Sequence, residues 1–571
     1  FEQKLNFITE GLRFKALASF KNWSSTTNSA SAGWNKYHLQ DFSVDDNGVY
    51  SFVTRLQNES GGEVSTDLKP GVANSGDRRF YFQAIMDYNR TFGKHDVNAM
   101  FIYNQDELVT QLFSGDLIAA LPKRKQGVAA RLSYAYDGKY LAEVNMGYNG
   151  SENFAKGHRW GFFPSIAVGY NISEEAFFEP LKNVFSNMKI RASWGLVGND
   201  NIGGARFVYM PTINLTGTGY TTGLDGDITY KGPVYSRYGN PEVTWEVGKK
   251  VNVGLDLQLF NSLNLTMDYF HETRTDIFQE RGTIPQYLGT AGTKVFGNLA
   301  AMKNQGFDFA ADFNKKIGKD WFISFKGTFT YAHNEITKYD ESPKYAFQSK
   351  VGQSANIPSI MISDGLFKDP DDVKNSNQQI GGNLSAGDIK YVNISKLYGY
   401  DDDIVDISDW VWAKNPTVPE IVYGFGPSIR WKNLDFSFFF QGVAKVSLVM
   451  SDFHPFGDNS LRNVLTWIAD DRWSPDNQNI NATYPRLTRD TSVNNTQRSD
   501  YWLRNAAFIK LKNAEIGYTY KNMRFYVSGM NLATFSPFKH WDPEQGGGNG
   551  LKYPTQRVFN FGFQMTINNN R

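Results

Sequence analysis

The chain has 571 residues, 59 basic against 58 acidic side chains and a formal net charge of +1, so it lacks the charge excess that draws a protein onto nucleic acid. Hydrophobic residues make up 41%, too many for a disordered chain, and the absence of cysteine excludes disulfide scaffolds, zinc–thiolate and iron–sulfur sites and a cysteine nucleophile. No apolar run reaches the roughly 18 residues that a membrane helix needs; the best, 436–450, is interrupted by Gln441, Gly442 and Lys445. Crossing a membrane by strands stays open, because barrel strands are short and alternate in polarity.

From the N-terminus, Leu12, Phe14, Ala16, Ala18 and Phe20 alternate with Arg13, Lys15, Ser19 and Lys21, the period-two pattern of a strand with one apolar and one polar face. The same pattern predicts strands over 79–89, 96–103, 128–136, 140–148, 163–170 and 189–196. Val251, Val253, Leu255, Leu257 and Leu259, a tight Phe260-Asn261-Ser262 break, then Leu263, Leu265, Met267 and Tyr269 read as a hairpin. Further strands are expected over 306–313, 321–331, 421–431, 434–440, 509–520, 523–529 and 559–567, giving roughly 15 to 17 in all. No amphipathic helix of length is predicted.

The connections fall into two classes. Some are very short, as at 137–139, 260–262, 431–433 and 520–522; others are long, over about 197–243, 278–305, 334–420, 443–504 and 531–556. Loops beyond about 15 residues are uncommon in compact soluble domains, whereas short turns on one rim and long loops on the other describe an outer-membrane barrel. In lipid every backbone N–H and C=O must be paired, so such a sheet points its apolar face outward and its polar face inward. Trp23, Tyr136, Tyr140, Tyr170, Trp245, Tyr269, Trp321, Tyr331, Trp431, Tyr518 and Tyr520 are then expected to form interfacial girdles. A β-sandwich or propeller would bury these aromatics; the loop asymmetry and the lack of a repeat of about 40 residues favour the barrel.

Catalytic motifs are missing. The 7 His are scattered, with no His-Glu-x-x-His spacing, no nucleophile elbow and no phosphate-binding loop. The acidic stretch Asp401-Asp402-Asp403 with Asp406 and Asp409 is the candidate cation site, Asp401, Asp403 and Asp406 being the candidate ligands for Ca²⁺. It lacks the turn Gly and terminal Glu of a calcium loop, so a solvated charged loop is the plainer reading. Trp410 and Trp412 beside it are the candidate substrate-stacking residues, weighed against packing within a folded loop. The chain reads as a passage or platform, not an enzyme.

Several stretches resemble the SusC family of TonB-dependent outer-membrane transporters of Bacteroidetes. The resemblance is carried by Tyr140 to Asn145, Tyr148 to Phe154, Arg159 to Ser165, Arg191 to Gly195 and Thr244-Trp245-Glu246. It continues through Asn304-Gln305-Gly306, which looks like the family's Asn-x-Gly turn into a strand, and through Gly387-Asp388-Ile389-Lys390-Tyr391, Gly529-Met530-Asn531-Leu532 and Phe559-Asn560-Phe561-Gly562. The resemblance implies an all-β fold, a transmembrane antiparallel β-barrel of 22 strands with an N-terminal plug, long extracellular loops and short periplasmic turns. Residues 1–571 are expected to be a partial barrel domain, its C-terminal portion, with the plug outside this chain. Implied partners are a SusD-like surface lipoprotein, TonB acting through the plug, and outer-membrane lipid. The implied function is import of oligosaccharides or peptides; the alternative is a non-transporting scaffold in an outer-membrane assembly.

Overall fold

The computed structural model describes residues 1–57, 62–111, 118, 121–285, 287, 293–400, 402–451, 464–488 and 492–567. Its main element is one antiparallel sheet of 17 strands. In chain order these are β1 (Glu2–Lys4), β2 (Leu12–Ser31), β3 (Lys69–Phe92), β4 (His95–Gln111), β5 (Lys123–Tyr136), β6 (Tyr140–Ser151), β7 (Trp160–Asn171), β8 (Phe185–Asn199), β9 (Glu246–Leu259), β10 (Leu263–Glu280), β11 (Phe296–Ile317), β12 (Trp321–Lys338), β13 (Ile421–Trp431), β14 (Leu434–Ala444), β15 (Phe508–Tyr520), β16 (Met523–Phe535) and β17 (Val558–Met565). Each strand pairs with its neighbours in this order. Among the described residues β1 and β17 do not pair with each other and form the two edges.

Every strand predicted from alternation is present, and several run further. β2 has 20 residues, β3 24 and β11 22, where about 9–11 suffice to cross hydrocarbon. The added length is at the long-loop rim, in stretches such as Ser24-Ser25-Thr26-Thr27-Asn28 that are polar on both faces and so invisible to an alternation test. One consequence is a correction. Asn304-Gln305-Gly306 is not a turn but lies inside β11, and Gly306 is needed because a Cβ there would run into the Tyr331 carbonyl and the Phe270 ring. A second is that the expected loop over 278–305 shrinks to 281–295.

Connections alternate strictly between the rims. The short rim carries 5–11, 93–94, 137–139, 172–184, 260–262, 318–320, 432–433 and 521–522; the other carries 32–68, 112–122, 152–159, 200–245, 281–295, 339–420, 445–507 and 536–557. The excursion over 32–68, which shows no single long alternation, holds an exposed hairpin (Tyr37–Val44 with Tyr50–Leu56), and 200–245 holds another (Thr212–Thr222 with Ile228–Arg237).

Burial is inverted relative to a soluble fold. One face of the sheet is a continuous apolar surface left open: Leu132 lies opposite Val144, Val144 opposite Ile166, Ile166 opposite Trp194 and Trp194 opposite Val251. Further round, Met267, Phe309, Phe329 and Tyr423 form one row, and Phe436, Ile516, Val527 and Phe561 another. A soluble monomer rarely exposes so large an apolar patch, whereas a lipid-facing belt has this form. Tyr136, Tyr140 and Tyr170 stack along the short rim, with centroids 6.5 and 5.2 Å apart. Two predicted girdle members lie elsewhere. Trp23 shares the polar face with Lys21, opposite Asp77, and Trp245 is buried among loop residues with Phe154 and Val243. Both follow from register, which a local sequence window does not contain.

The buried apolar side chains lie almost entirely in the long connections. Met361, Leu366, Ile389 and Val405 from 339–420, Leu448, Ile468, Trp473, Tyr484 and Trp502 from 445–507, and Phe538 from 536–557 share one core. Three loops thus fold together into a cap with its own small ladders, such as Ser363–Leu366 against Ile389–Tyr391 and Ser447–Val449 against Leu503–Asn505. The helices within them are short, at Pro370–Asn375, Ile394–Leu397 and Thr466–Asp470.

Candidate functional site

The face opposite the apolar belt is polar and held by cross-strand ion pairs. Arg191 on β8 reaches Asp256 on β9 (Nε to Oδ2, 3.0 Å) and Asp268 on β10 (Nη2 to Oδ2, 2.6 Å). Asp268 is two strands away, and Gly254 lies between them in the register. A Cβ at Gly254 would fall 2.5 Å from the guanidinium carbon of Arg191, so the missing side chain is what lets the guanidinium cross β9. The device recurs at Gly517, where Arg524 bridges to Asp435 and Glu515. Arg13 with Asp87 and Glu2, and Arg79 with Asp106, continue the pattern on β1 to β4. Ionised groups at this density need water or partners, so this face lines an aqueous space. Two recesses mark it, one of about 580 Å³ bordered by Lys4, Arg13, Lys15, Asp87, Asn98 and Arg131, the other of about 440 Å³ bordered by Ser133, Glu143, Lys189 and Arg191.

Above it, the cap is built around the segment Gly387-Asp388-Ile389-Lys390-Tyr391. Asp388 is buried; its carboxylate is 2.7 Å from Arg486 Nε and accepts from Asn495 Nδ2 at 2.8 Å. Asn495 Oδ1 accepts from the Ile389 amide, Asn494 Nδ2 donates to the Ile389 carbonyl, and Gln379 bonds both backbone groups of Tyr391. Side chains therefore satisfy the backbone of a short strand on the side where no strand pairs with it. The motif is a keystone of the cap rather than a ligand site.

The last outer loop is latched to the sheet at Lys510, which is buried on β15 with Asp542 and Glu544 at 2.7 and 2.6 Å. Burial pushes both carboxyls upward, but the Lys510 ammonium and neighbouring donors outweigh it and hold both below the usual carboxylate range. His540 in the same loop stacks on Trp467, with centroids 4.8 Å apart, and burial together with Arg504 lowers its pKa.

Trp410 packs against the cap core, and Trp412 Nε1 donates to the Ser349 carbonyl at 2.9 Å. Nearby lies a group of aromatics the sequence did not single out: Tyr345, Phe347, Tyr398 and Tyr400 form a chain of rings with centroids 4.6–5.4 Å apart, Tyr345 being buried and Tyr398 and Tyr400 exposed. Asp406 and Asp409 serve the backbone: Asp406 accepts from the Ser408 amide, and Asp409 from the Asp406 and Ser395 amides. Asp403 is exposed with a left-handed backbone (φ 54°), and Asp401 lies outside the described residues. Among the described residues no three His or acidic side chains converge as a metal site.

Residues 5–532 match the family model described as TonB dependent receptor-like, beta-barrel. The chain is 25% identical over 562 residues to TonB-dependent receptor P3 of Formosa agariphila, covering 88% of this chain and 54% of that protein. It is 27% identical over 470 residues to TonB-dependent receptor SusC of Bacteroides thetaiotaomicron, covering 76% of this chain and 43% of that one. The chain thus spans about half the length of the curated relatives it matches. The RagAB peptide importer in its open-open state superposes with a TM-score of 0.70 at 20% identity, over 98% of this chain and 59% of that one. An apolar-out, polar-in meander matched over nearly its whole length to one family model leads to a single assignment: the chain belongs to the TonB dependent receptor-like β-barrel family of the outer membrane.

Proposed function

We propose that this chain forms most of the wall and the outer mouth of a TonB-energised importer that carries oligosaccharides or peptides across the outer membrane. The observation that supports it most is the pairing of an apolar belt with an ion-paired polar face beneath a folded cap. Lipid on one side and water on the other explain both faces of the same strands. The two free edges, β1 and β17, would each leave a row of unpaired backbone groups in hydrocarbon. On this reading further strands would complete the wall, and a plug that TonB pulls on would occlude it. A SusD-like lipoprotein would cover the cap. Substrate would meet the exposed rings of Tyr398 and Tyr400 there, Trp410 and Trp412 holding the segment that displays them, and pass along the polar wall once the plug moves. Binding and release suffice for this, and no covalent chemistry is needed.

Deletion of the full gene is expected to abolish uptake of a labelled oligosaccharide or peptide, and removal of TonB or the proton-motive force to abolish it equally. Unchanged uptake of every oligosaccharide and peptide tried, with the protein recovered alongside assembly or secretion components, would overturn import in favour of the scaffold.

A further inference from the structure

The short-turn rim is electrically uneven. Between β3 and β8 its cations are neutralised: Lys94 lies 2.9 Å from Asp137, Lys139 3.3 Å from Glu175 and Lys182 2.8 Å from Glu179. Between β11 and β16 the three turns carry Lys319, Lys432 and Lys521, and Lys315 lies opposite Ile323 in a row of the outward face that continues to Ile429. Asp320 approaches Lys432 only to 4.0 Å, and among the described residues Lys315, Lys319 and Lys521 make no ion pair.

The same arc carries aromatic rings at interface depth. Trp321 and Trp431 face each other across β12 and β13 with stacked rings 5.6 Å apart, and Leu434 and Tyr518 continue the row. Lys432 Nζ lies 5.7 Å from the centre of the Trp431 ring and Lys521 Nζ 5.5 Å from that of Tyr520. Both turns read aromatic-Lys-Asn, and both lysines occupy the left-handed region, with φ of 51° and 54°. An L side chain is disfavoured there, and Gly or Asn would fit with less strain. Long cationic side chains are thus held at the turn tips, beside rings that sit at headgroup level.

We propose that this arc, from Lys315 to Lys521, is a binding site for the phosphate headgroups of anionic phospholipids in the leaflet that meets the short turns. The stacked tryptophans take the glycerol and upper acyl region, and the ammonium groups of Lys319, Lys432 and Lys521 take the phosphates. The site goes beyond transport itself, and it rests on the lipid-facing belt rather than on any substrate.

The test uses the full-length protein, delipidated in detergent, with phosphatidylglycerol or phosphatidylcholine added and bound lipid counted by native mass spectrometry. Wild type is expected to retain phosphatidylglycerol over phosphatidylcholine. A Lys319→Gln, Lys432→Asn, Lys521→Asn variant is expected to lose on the order of a hundredfold of that retention, at about fivefold per lysine. Asn suits the left-handed turns, so misfolding does not account for the loss. A Lys94→Gln, Lys139→Gln variant on the neutralised arc is expected to bind as wild type, and millimolar inorganic phosphate to leave the lipid bound. Equal retention of the two lipids, wild-type retention by the triple variant, or full displacement by inorganic phosphate would each overturn the proposal.

Discussion

Val144→Arg tests the orientation of the sheet directly. Val144 sits midway along β6 between Tyr140 and Tyr148, on the outward row with Leu132 and Ile166, the three being 41%, 52% and 47% exposed. The eight steps from Tyr140 to Tyr148 span about 27 Å along the strand at ~3.4 Å per residue, or about 20 Å along the membrane normal at a tilt of ~40°. Val144 is therefore near the bilayer midplane. An arginine there is expected to cost about 2–4 kcal/mol, a factor of roughly 30 to 1,000 in the folding equilibrium. Ser133→Arg, on the neighbouring strand but facing inward opposite Glu143, gains a carboxylate partner and water and is expected to change stability by less than about 1 kcal/mol. Guanidinium unfolding of the full-length protein from lipid vesicles, followed by tryptophan fluorescence, measures both. Equal costs, or a larger cost for Ser133→Arg, would refute the assignment of the apolar face to lipid.

Asp388→Ala leaves the half-buried Arg486 and the buried Asn495 amide without their carboxylate acceptor and is expected to destabilise the cap by about 2–3 kcal/mol; hydrogen exchange should rise through 361–405 and 466–502 while the strand amides stay protected. Gly254→Val places a side chain where the Arg191 guanidinium crosses β9 and should cost about 1–3 kcal/mol, seen as a lower denaturation midpoint that Gly254→Ser partly restores. The Lys510 latch is pH-dependent with a definite sign. Asp542 and Glu544 have depressed folded pKa values, so their contribution is full above the ordinary carboxylate range and is lost as pH falls through the folded values, below about pH 4. Proteolysis within 536–557 should increase there, and a Lys510→Met variant should show the same exposure already at neutral pH. Trp412→Phe removes the donor to the Ser349 carbonyl and is expected to cost about 1 kcal/mol of cap stability, read by hydrogen exchange at 349–360.

Strand identity, the sidedness of each strand and the loop asymmetry were all determined by the sequence. An alternating strand offers its apolar residues to one side only, and a tight turn such as Phe260-Asn261-Ser262 fixes its register with the next. The family resemblance was legible for the same reason, since its motifs lie on local stretches such as Arg159 to Ser165. What the sequence could not hold was contact between distant segments. That Trp245 leaves the girdle for a loop cluster and that Asp388 meets Arg486 and Asn495 depend on residues about a hundred positions apart or on strand register. So does the choice of Tyr398 and Tyr400 over Trp410 and Trp412 as the exposed aromatics of the cap. The unequal short-turn rim shows the division most plainly. Each lysine is visible in the sequence, but whether a carboxylate stands beside it is decided only when neighbouring hairpins dock, because ion pairing depends on distances of a few ångströms between turns far apart in the chain.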